Sequence, residues 1–191
     1  LNKKRIGITV GSRGISSIAT IAKAAIDFLK GAGAEPFIIP AMGSHGGGTS
    51  EGQKSLIAHY GVTEETMGVP VQAQMETRVL GTVDGFEVNC AEAACDSDGI
   101  LLLNRVKPHT DIKADIESGL TKIGAIGLGK LNGAERCHSE VVGMGLDKAI
   151  VLATSELIRR KIVIGGLAIL ENPYHETAKV TAVGPDNLIE R

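Results

Sequence analysis

Short apolar runs alternate with amphipathic stretches along the first third of the chain. The runs at 5–11 and 35–42 are rich in apolar residues, and stretches with a helical spacing of apolar side chains follow at 16–33 and 49–61. Such alternation predicts a parallel sheet covered by helices, because parallel strands need a long crossover between them. We therefore expect an α/β fold with a mostly parallel central sheet flanked by helices.

Residues that start or stop helices border both amphipathic stretches. Ser16 or Ser17 precedes the first stretch and is expected to cap it, because a serine side-chain oxygen accepts hydrogen bonds from free backbone N–H groups. Thr49 holds the same position before the second stretch. Glu51 in the first turn suits the helix dipole there, and Gly61 follows the end.

The rest of the chain departs from this alternation. Residues 69–98 form short alternating segments around Asp84-Gly85, a dipeptide typical of tight hairpin turns. A strongly apolar run at 99–106 predicts a buried strand, and a glycine-rich stretch compatible with helix follows at 114–140. One helix and two strands are predicted at 144–161, 162–172 and 177–183. We expect one α/β domain over residues 1–191, with a short antiparallel hairpin insertion.

Composition excludes several classes of function. The net charge is −2 and aromatic residues make up 3% of the chain, so neither a basic stripe nor base-stacking side chains favour nucleic-acid binding. No apolar run reaches the roughly 20 residues that a membrane-spanning helix needs, so we expect no membrane partner. The 3 cysteines form no CxxC pair, which indicates a reducing, cytoplasmic setting.

Three polar segments follow predicted strands. They read GSRGI from Gly11, GSHGGG from Gly43 and NRVKPHTD from Asn104. Ligands of open α/β sheets collect beyond the carboxyl ends of the strands, so these segments predict one shared ligand site.

Each of these segments offers a residue with usable chemistry. Arg13 presents a planar fork for a carboxylate or phosphate, or is a surface arginine in a tight turn. His45 lies in a glycine-rich loop before a helix, but the GxxxxGK[ST] and GxGxxG phosphate motifs are absent. Its imidazole suits proton transfer near neutral pH, and a turn histidine without a role is the alternative. His109, flanked by Lys107 and Arg105, suits an anionic substrate, or belongs to a charged loop rim.

Lysines and a further histidine follow these segments. Lys122 lies among glycines and apolar residues, where a depressed pKa would make it a nucleophile or covalent anchor. Lys113 and Lys130 are further candidates for that role. Alternatively, Lys122 is a solvated lysine on a helix and has no chemical role. His138, with Cys137 and the carboxylates Glu135 and Glu140, predicts a borderline-metal site that needs ligands from elsewhere. His59 and His175 are interpreted as structural or surface residues.

Taken together, five segments resemble the lactate racemase family of nickel-pincer-nucleotide enzymes. They read GSRGI, GSHGGGTSEGQ, NRVKPHTD, ESGLTK and CHSE, in the family's order from Gly11 to about Glu140. The resemblance implies an α/β N-terminal domain of a larger two-domain protein, with the second domain outside this sequence. It also implies a pyridinium mononucleotide that grips nickel through one carbon and two sulfurs.

The resemblance assigns a role to each matching residue. Lys122 matches the lysine that holds the cofactor covalently, and His138 matches the nickel ligand. His45 and His109 match the acid/base pair for the substrate hydroxyl, and Arg13 matches the substrate arginine. Lys107 is added to the substrate site by its position. Further cofactor contacts are expected from Ser44, Gly46, Gly47, Gly48, Thr49, Ser118 and Gly119.

The implied activity is racemisation or epimerisation of a 2-hydroxy acid by removal and return of the hydrogen at C2. Cofactor-maturation proteins are the implied partners.

The residues by themselves are also compatible with two other functions. One is a non-catalytic module that binds a nucleotide or phosphate, and the other is a metal hydrolase with His45, His109 and His138 on zinc.

Overall fold

The computed structural model describes residues 1–108, 114, 116, 118–139 and 143–189. Within them lie seven strands: β1 (Arg5–Val10), β2 (Glu35–Pro40), β3 (Thr77–Val83), β4 (Phe86–Ala91), β5 (Gly99–Arg105), β6 (Val163–Glu171) and β7 (Thr177–Val183). The α-helices there are α1 (Ile18–Gly31), α2 (Ser50–His59), α3 (Glu64–Met67), α4 (Glu92–Cys95), α5 (Leu120–Lys122), α6 (Lys130–Ser139) and α7 (Leu146–Arg159).

The central sheet has the strand order β2-β1-β5-β6-β7. The first four strands in that order run parallel, and β7 pairs antiparallel with β6. The chain leaves β1 for β2 on one side and later returns to place β5 on the other side. The strand order therefore reverses between β1 and β5, and the predicted mostly parallel α/β sheet is confirmed.

Apolar side chains cover both faces of this sheet. On one face, Ile6, Ile8 and Val10 of β1 join a buried cluster with residues of α1. On the other face, Leu102 of β5 belongs to a second buried cluster with Leu157 of α7. This two-sided burial explains why the strands carry near-continuous apolar runs.

The predicted hairpin is confirmed as a separate two-stranded sheet formed by β3 and β4. Its turn has positive φ at both central residues, 49° at Asp84 and 80° at Gly85. Both angles fit a two-residue turn whose twist matches that of the strands, which is why Asp-Gly is favoured there. The hairpin packs against α6 and α7 through a third apolar cluster that includes Phe86 and Cys137.

The helix ends agree with the sequence at one helix and differ at the other. Thr49 caps α2, and its side chain accepts a 3.1 Å hydrogen bond from the backbone N–H of Gly52. At α1, Ser17 occupies the expected N-cap position, but the expected side-chain hydrogen bond is absent. Ser17 has φ 57° and makes no capping hydrogen bond, while the backbone N–H of Ser16 donates to the Glu171 carboxylate instead.

The long stretch compatible with helix at 114–140 is broken where the structure describes it. After α5 the chain widens into a π-helical turn at Ile123–Gly127 and then enters α6. Closely packed glycines accompany this change, since a Cβ on Gly127 would lie 2.8 Å from the Ala41 carbonyl oxygen. π-helical turns are often found at functional sites.

In the part of the chain that the structure describes, we find no helix with the length and apolar content that crossing a bilayer requires.

The glycine-rich loop between β2 and α2 is sterically specified. Gly46, Gly47 and Gly48 have φ values of 67°, 69° and 64°, three consecutive left-handed residues. Gly52 lies beneath them in α2, and a Cβ there would be 1.9 Å from the Gly46 carbonyl oxygen. The loop conformation thus requires glycine in the left-handed turn itself, and also at Gly52, where the helix backbone meets the loop.

We predict a graded loss of stability when these glycines are replaced by alanine. Gly52→Ala should lower the free energy of unfolding by about 2–3 kcal/mol, because the new methyl group forces backbone apart. Gly47→Ala has open space around its Cβ and should cost only the left-handed strain, about 1 kcal/mol.

Urea denaturation measures both effects, and Gly31→Ala is the control. Gly31 ends α1, and apart from its chain neighbours and its own helix backbone no atom lies within 4 Å of its Cβ position, so alanine should leave stability equal or slightly higher. Equal stabilities for the Gly52→Ala and Gly31→Ala variants would contradict the steric account.

Candidate functional site

Loops after β1, β2 and β5 surround two adjoining recesses at the carboxyl edge of the sheet. The inner recess has a volume of about 110 Å³ and is lined by Gly11, Ser12, Ala41, Met42, His45, Ile123, Ile126 and Gly127. The outer recess, of about 260 Å³, is lined by Arg105, Lys107, Ser118 and Gly119. Arg13, Asn104 and Lys122 line both recesses. They lie where the strand order reverses, the usual ligand position in open α/β sheets.

His45 is held by a hydroxyl group that the sequence did not single out. Ser12 Oγ lies 2.6 Å from His45 Nδ1, and the Tyr60 hydroxyl donates a 2.9 Å hydrogen bond to the Ser12 carbonyl oxygen. Because the serine contact occupies Nδ1, the other ring nitrogen, Nε2, is left for a ligand. Ser12 directly precedes Arg13 in the first polar segment, and in the sequence only that position indicates that Ser12 belongs to the site.

The surroundings of His45 lower the pKa of its imidazole below the usual value. Contact with the pocket wall removes part of the water around the ring, which is the larger cause. The positive charges of Arg13 and Lys122 further disfavour the imidazolium ion. These surroundings favour the neutral ring, which can accept a proton.

Lys122 ends α5 directly before the π-helical turn, and its side chain is half-buried between the two recesses. Burial lowers the pKa of its ammonium group, and the neighbouring charges of Arg13 and Lys107 lower it further. A larger fraction of this lysine is thus neutral at physiological pH than of an exposed lysine, which favours nucleophilic chemistry.

Positive charge dominates the outer recess. Arg105 forms a partly buried ion pair with Glu171, so its charge is balanced within the protein. Arg13, Lys107 and Lys122 remain, and no aspartate or glutamate is among the described residues that line either recess. This arrangement favours an anionic ligand.

The segment before Lys122 is fastened to the end of β5. The side-chain amide of Asn104 donates a 2.8 Å hydrogen bond to the Gly119 carbonyl oxygen, and the Ser118 hydroxyl donates to the Lys107 carbonyl oxygen. Sequence reasoning missed Asn104, although it opens the third polar segment. Its amide fixes the position at which the chain enters the Lys122 helix.

Six of the predicted site residues line the recesses: Arg13, His45, Lys107, Ser118, Gly119 and Lys122. The other predicted loop residues, Ser44, Gly46, Gly47, Gly48 and Thr49, do not. A Cβ on Gly48 would meet Leu131, and Thr49 caps α2. His109 lies outside the described residues, so its place relative to the recesses stays a prediction.

The predicted metal residues on α6 point in different directions. Cys137 is buried, whereas Glu135 and His138 are exposed, and His138 lines neither recess. Glu140 lies outside the described residues. Among the residues that are described, no group of three or more histidine, cysteine, aspartate or glutamate side chains could hold a metal ion.

Comparison with known proteins identifies the fold. No protein-family model matches the chain, and no curated protein matches it. Among solved structures, the chain is similar to part of a larger protein. That structure is the lactate racemase apoprotein from Thermoanaerobacterium thermosaccharolyticum, with a TM-score of 0.72 and 17% sequence identity.

The similarity covers 96% of this chain and 46% of the racemase chain. This chain therefore spans about half the length of the structure it matches. The fold is shared with a lactate racemase, in agreement with the family that the five sequence segments resemble.

We predict that His45 titrates below the usual histidine pKa and that removing either neighbouring charge raises its pKa. Arg13→Gln and Lys122→Met should each shift the titration upward, since each removes a positive charge that opposes protonation. NMR titration of the imidazole in the cofactor-free protein measures the effect. Lys161→Met, an exposed lysine outside the recesses, should leave the titration unchanged, and an equal shift in that control would contradict the assignment.

Proposed function

We propose that this chain is the cofactor-binding part of a racemase or epimerase that acts on 2-hydroxy acids and uses a nickel pincer nucleotide attached to Lys122. The observation that carries the proposal is the cluster of Lys122, His45 and Arg13 around one recess. That recess lies at the sheet edge of a fold shared with a lactate racemase apoprotein.

The residues of the recesses fit such a cofactor. A lysine with a lowered pKa suits covalent attachment, and the cationic outer recess suits a phosphate group. The described side chains offer no three-ligand metal site, but a cofactor that carries its own carbon and sulfur ligands needs only one protein ligand. We propose His138 for that ligand on the basis of the family resemblance alone.

When bound, such a cofactor would supply the carbon that accepts the C2 hydrogen of the substrate as a hydride. The protein would supply binding and proton transfer. Arg13 and Lys107 would hold the substrate carboxylate, and the neutral imidazole of His45 would take the proton of the C2 hydroxyl group. His109 would serve the opposite face of the substrate. The apolar side chains of Met42, Ile123 and Ile126 would limit access of water on the inner side.

A non-catalytic module that binds phosphate or a nucleotide is the second candidate. Its support is the excess of positive charge in the outer recess, which requires no chemistry from the histidines. Nucleotide binding that survives combined replacement of His45, His109 and His138 by alanine, without any racemisation, would favour this candidate.

We also propose that the protein works in the cytoplasm beside maturation proteins that build its cofactor. Cys90 and Cys95 are free thiols, as expected in a reducing compartment.

Covalent loading of Lys122 is the direct test of the first candidate. Coexpression with a pincer-nucleotide biosynthesis pathway should give a protein with added mass on Lys122, bound nickel, and racemisation of at least one 2-hydroxy acid. Lys122→Arg keeps the charge but should carry no added mass and lose activity by at least about 10³-fold.

Intact mass spectrometry, metal analysis and chiral chromatography give the three readouts. Lys161→Arg is the matched control and should load like the unaltered protein. An unmodified Lys122 in protein coexpressed with a functional biosynthesis pathway would refute the proposal.

A further inference from the structure

Lys130 combines two features that are unfavourable for a lysine. Its residue is 0% exposed, and its backbone has φ 54° at the first position of α6. Burying an ammonium group and placing a side chain in the left-handed region both cost free energy. Such a residue persists where its contacts are needed, so its contacts indicate its role.

Those contacts lead to the loop that carries His45. Lys130 Nζ donates a 2.7 Å hydrogen bond to the carbonyl oxygen of Pro40, the last residue of β2. It also donates a 3.1 Å hydrogen bond to Gln53 Oε1. Lys130 thereby joins the start of α6 to the end of β2 and to α2.

Gln53 passes this connection on to the loop. It is 0% exposed, and its Nε2 donates to two carbonyl oxygens, of Gly43 at 2.8 Å and of His45 at 3.2 Å. The amide group thus clamps the backbone on both sides of Ser44.

Lys130 determines the orientation of the Gln53 side-chain amide. A lysine ammonium group only donates hydrogen bonds, so Gln53 must turn its oxygen toward Lys130. Its NH₂ group then faces the loop, where two carbonyl oxygens accept. Reversing the amide would oppose donor to donor and acceptor to acceptor, which costs most in a buried network.

We propose that Lys130 and Gln53 form a buried positioning bridge that fixes the His45 loop, residues 43–48, so that the imidazole meets Ser12 and the inner recess. The bridge acts through backbone carbonyl groups and touches neither ligand nor recess, so both are positioning residues. A catalytic role for this bridge rests on the proposed function. Its effect on the loop geometry can be tested independently of that function.

The charge state of Lys130 supports the bridge. Burial lowers the pKa of Lys130 to about 8, and the charge of Glu76 partly offsets that effect. The group is therefore still mainly protonated at pH 7, as a donor to two acceptors requires.

Gln53→Met is the decisive variant because it removes the clamp without changing the net charge. In the cofactor-free protein, we expect the His45 titration to rise toward the ordinary histidine pKa, as the loosened ring gains water. The ring-nitrogen NMR signals should change in the same sense as in Ser12→Ala. Amide exchange of His45 and Gly48, whose N–H groups donate to the carbonyl oxygens of Met42 and His45, should accelerate about tenfold.

Two further variants complete the test. Lys130→Met should reproduce the changes of Gln53→Met, and adding it to Gln53→Met should produce little more, because both act through one bridge. Gln74→Met, an exposed glutamine outside both recesses, should resemble the unaltered protein. If Lys130→Met does not fold, Gln53→Met alone decides.

Unchanged His45 signals and unchanged loop exchange in folded Gln53→Met would overturn the bridge. In protein that carries the cofactor, kcat should fall about tenfold with KM altered less than threefold. Because the NMR test uses cofactor-free protein, failure to racemise any substrate would refute the proposed function, while the His45 signals would still decide on the bridge.

Discussion

The reversal of strand order between β1 and β5 is the constraint on which the candidate site depends. Helix α1, after β1, packs on one face of the sheet, and the helices after β5 pack on the other. The loops after the two strands therefore separate and leave a crevice between their carboxyl ends. Arg13 enters this crevice from β1 and Asn104 from β5, while Lys122 closes one side through the π-helical turn.

Burial and a shared positive charge favour the neutral forms of two side chains. Burial lowers the pKa of His45 and that of Lys122, and the positive charge of Arg13 lowers both further. An anion bound in the outer recess would offset this charge and raise both pKa values. Ligand binding and proton affinity at His45 are therefore coupled.

The sequence predicted the parts of the structure that local pattern controls. The strands, the Thr49 cap and the Asp84-Gly85 hairpin follow from apolar periodicity and turn chemistry, and Arg13 and His45 follow from their positions after strands. Lys122 follows from its glycine-rich, apolar surroundings and from the family resemblance. Contacts between distant segments could not be predicted this way. The Glu171 carboxylate accepts a hydrogen bond from the N–H of Ser16, 155 residues away, and Gln53 accepts one from a lysine 77 residues further along the chain.

Helical periodicity could have shown that Cys137 and His138 lie on different sides of α6, since neighbouring helical residues point about 100° apart.

The glycine-rich loop shows how a flexible composition produces a defined geometry. Three left-handed glycines turn the chain sharply, and Gly52 lets that turn lie directly on α2. Thr49 fixes one end, whereas Gln53 and Lys130 hold the carbonyl groups on the other side. Glycine here permits close backbone contact, and the contacts then remove the freedom that glycine would otherwise have. The histidine on this loop is therefore held in one orientation, in which its Nδ1 lies 2.6 Å from Ser12 Oγ.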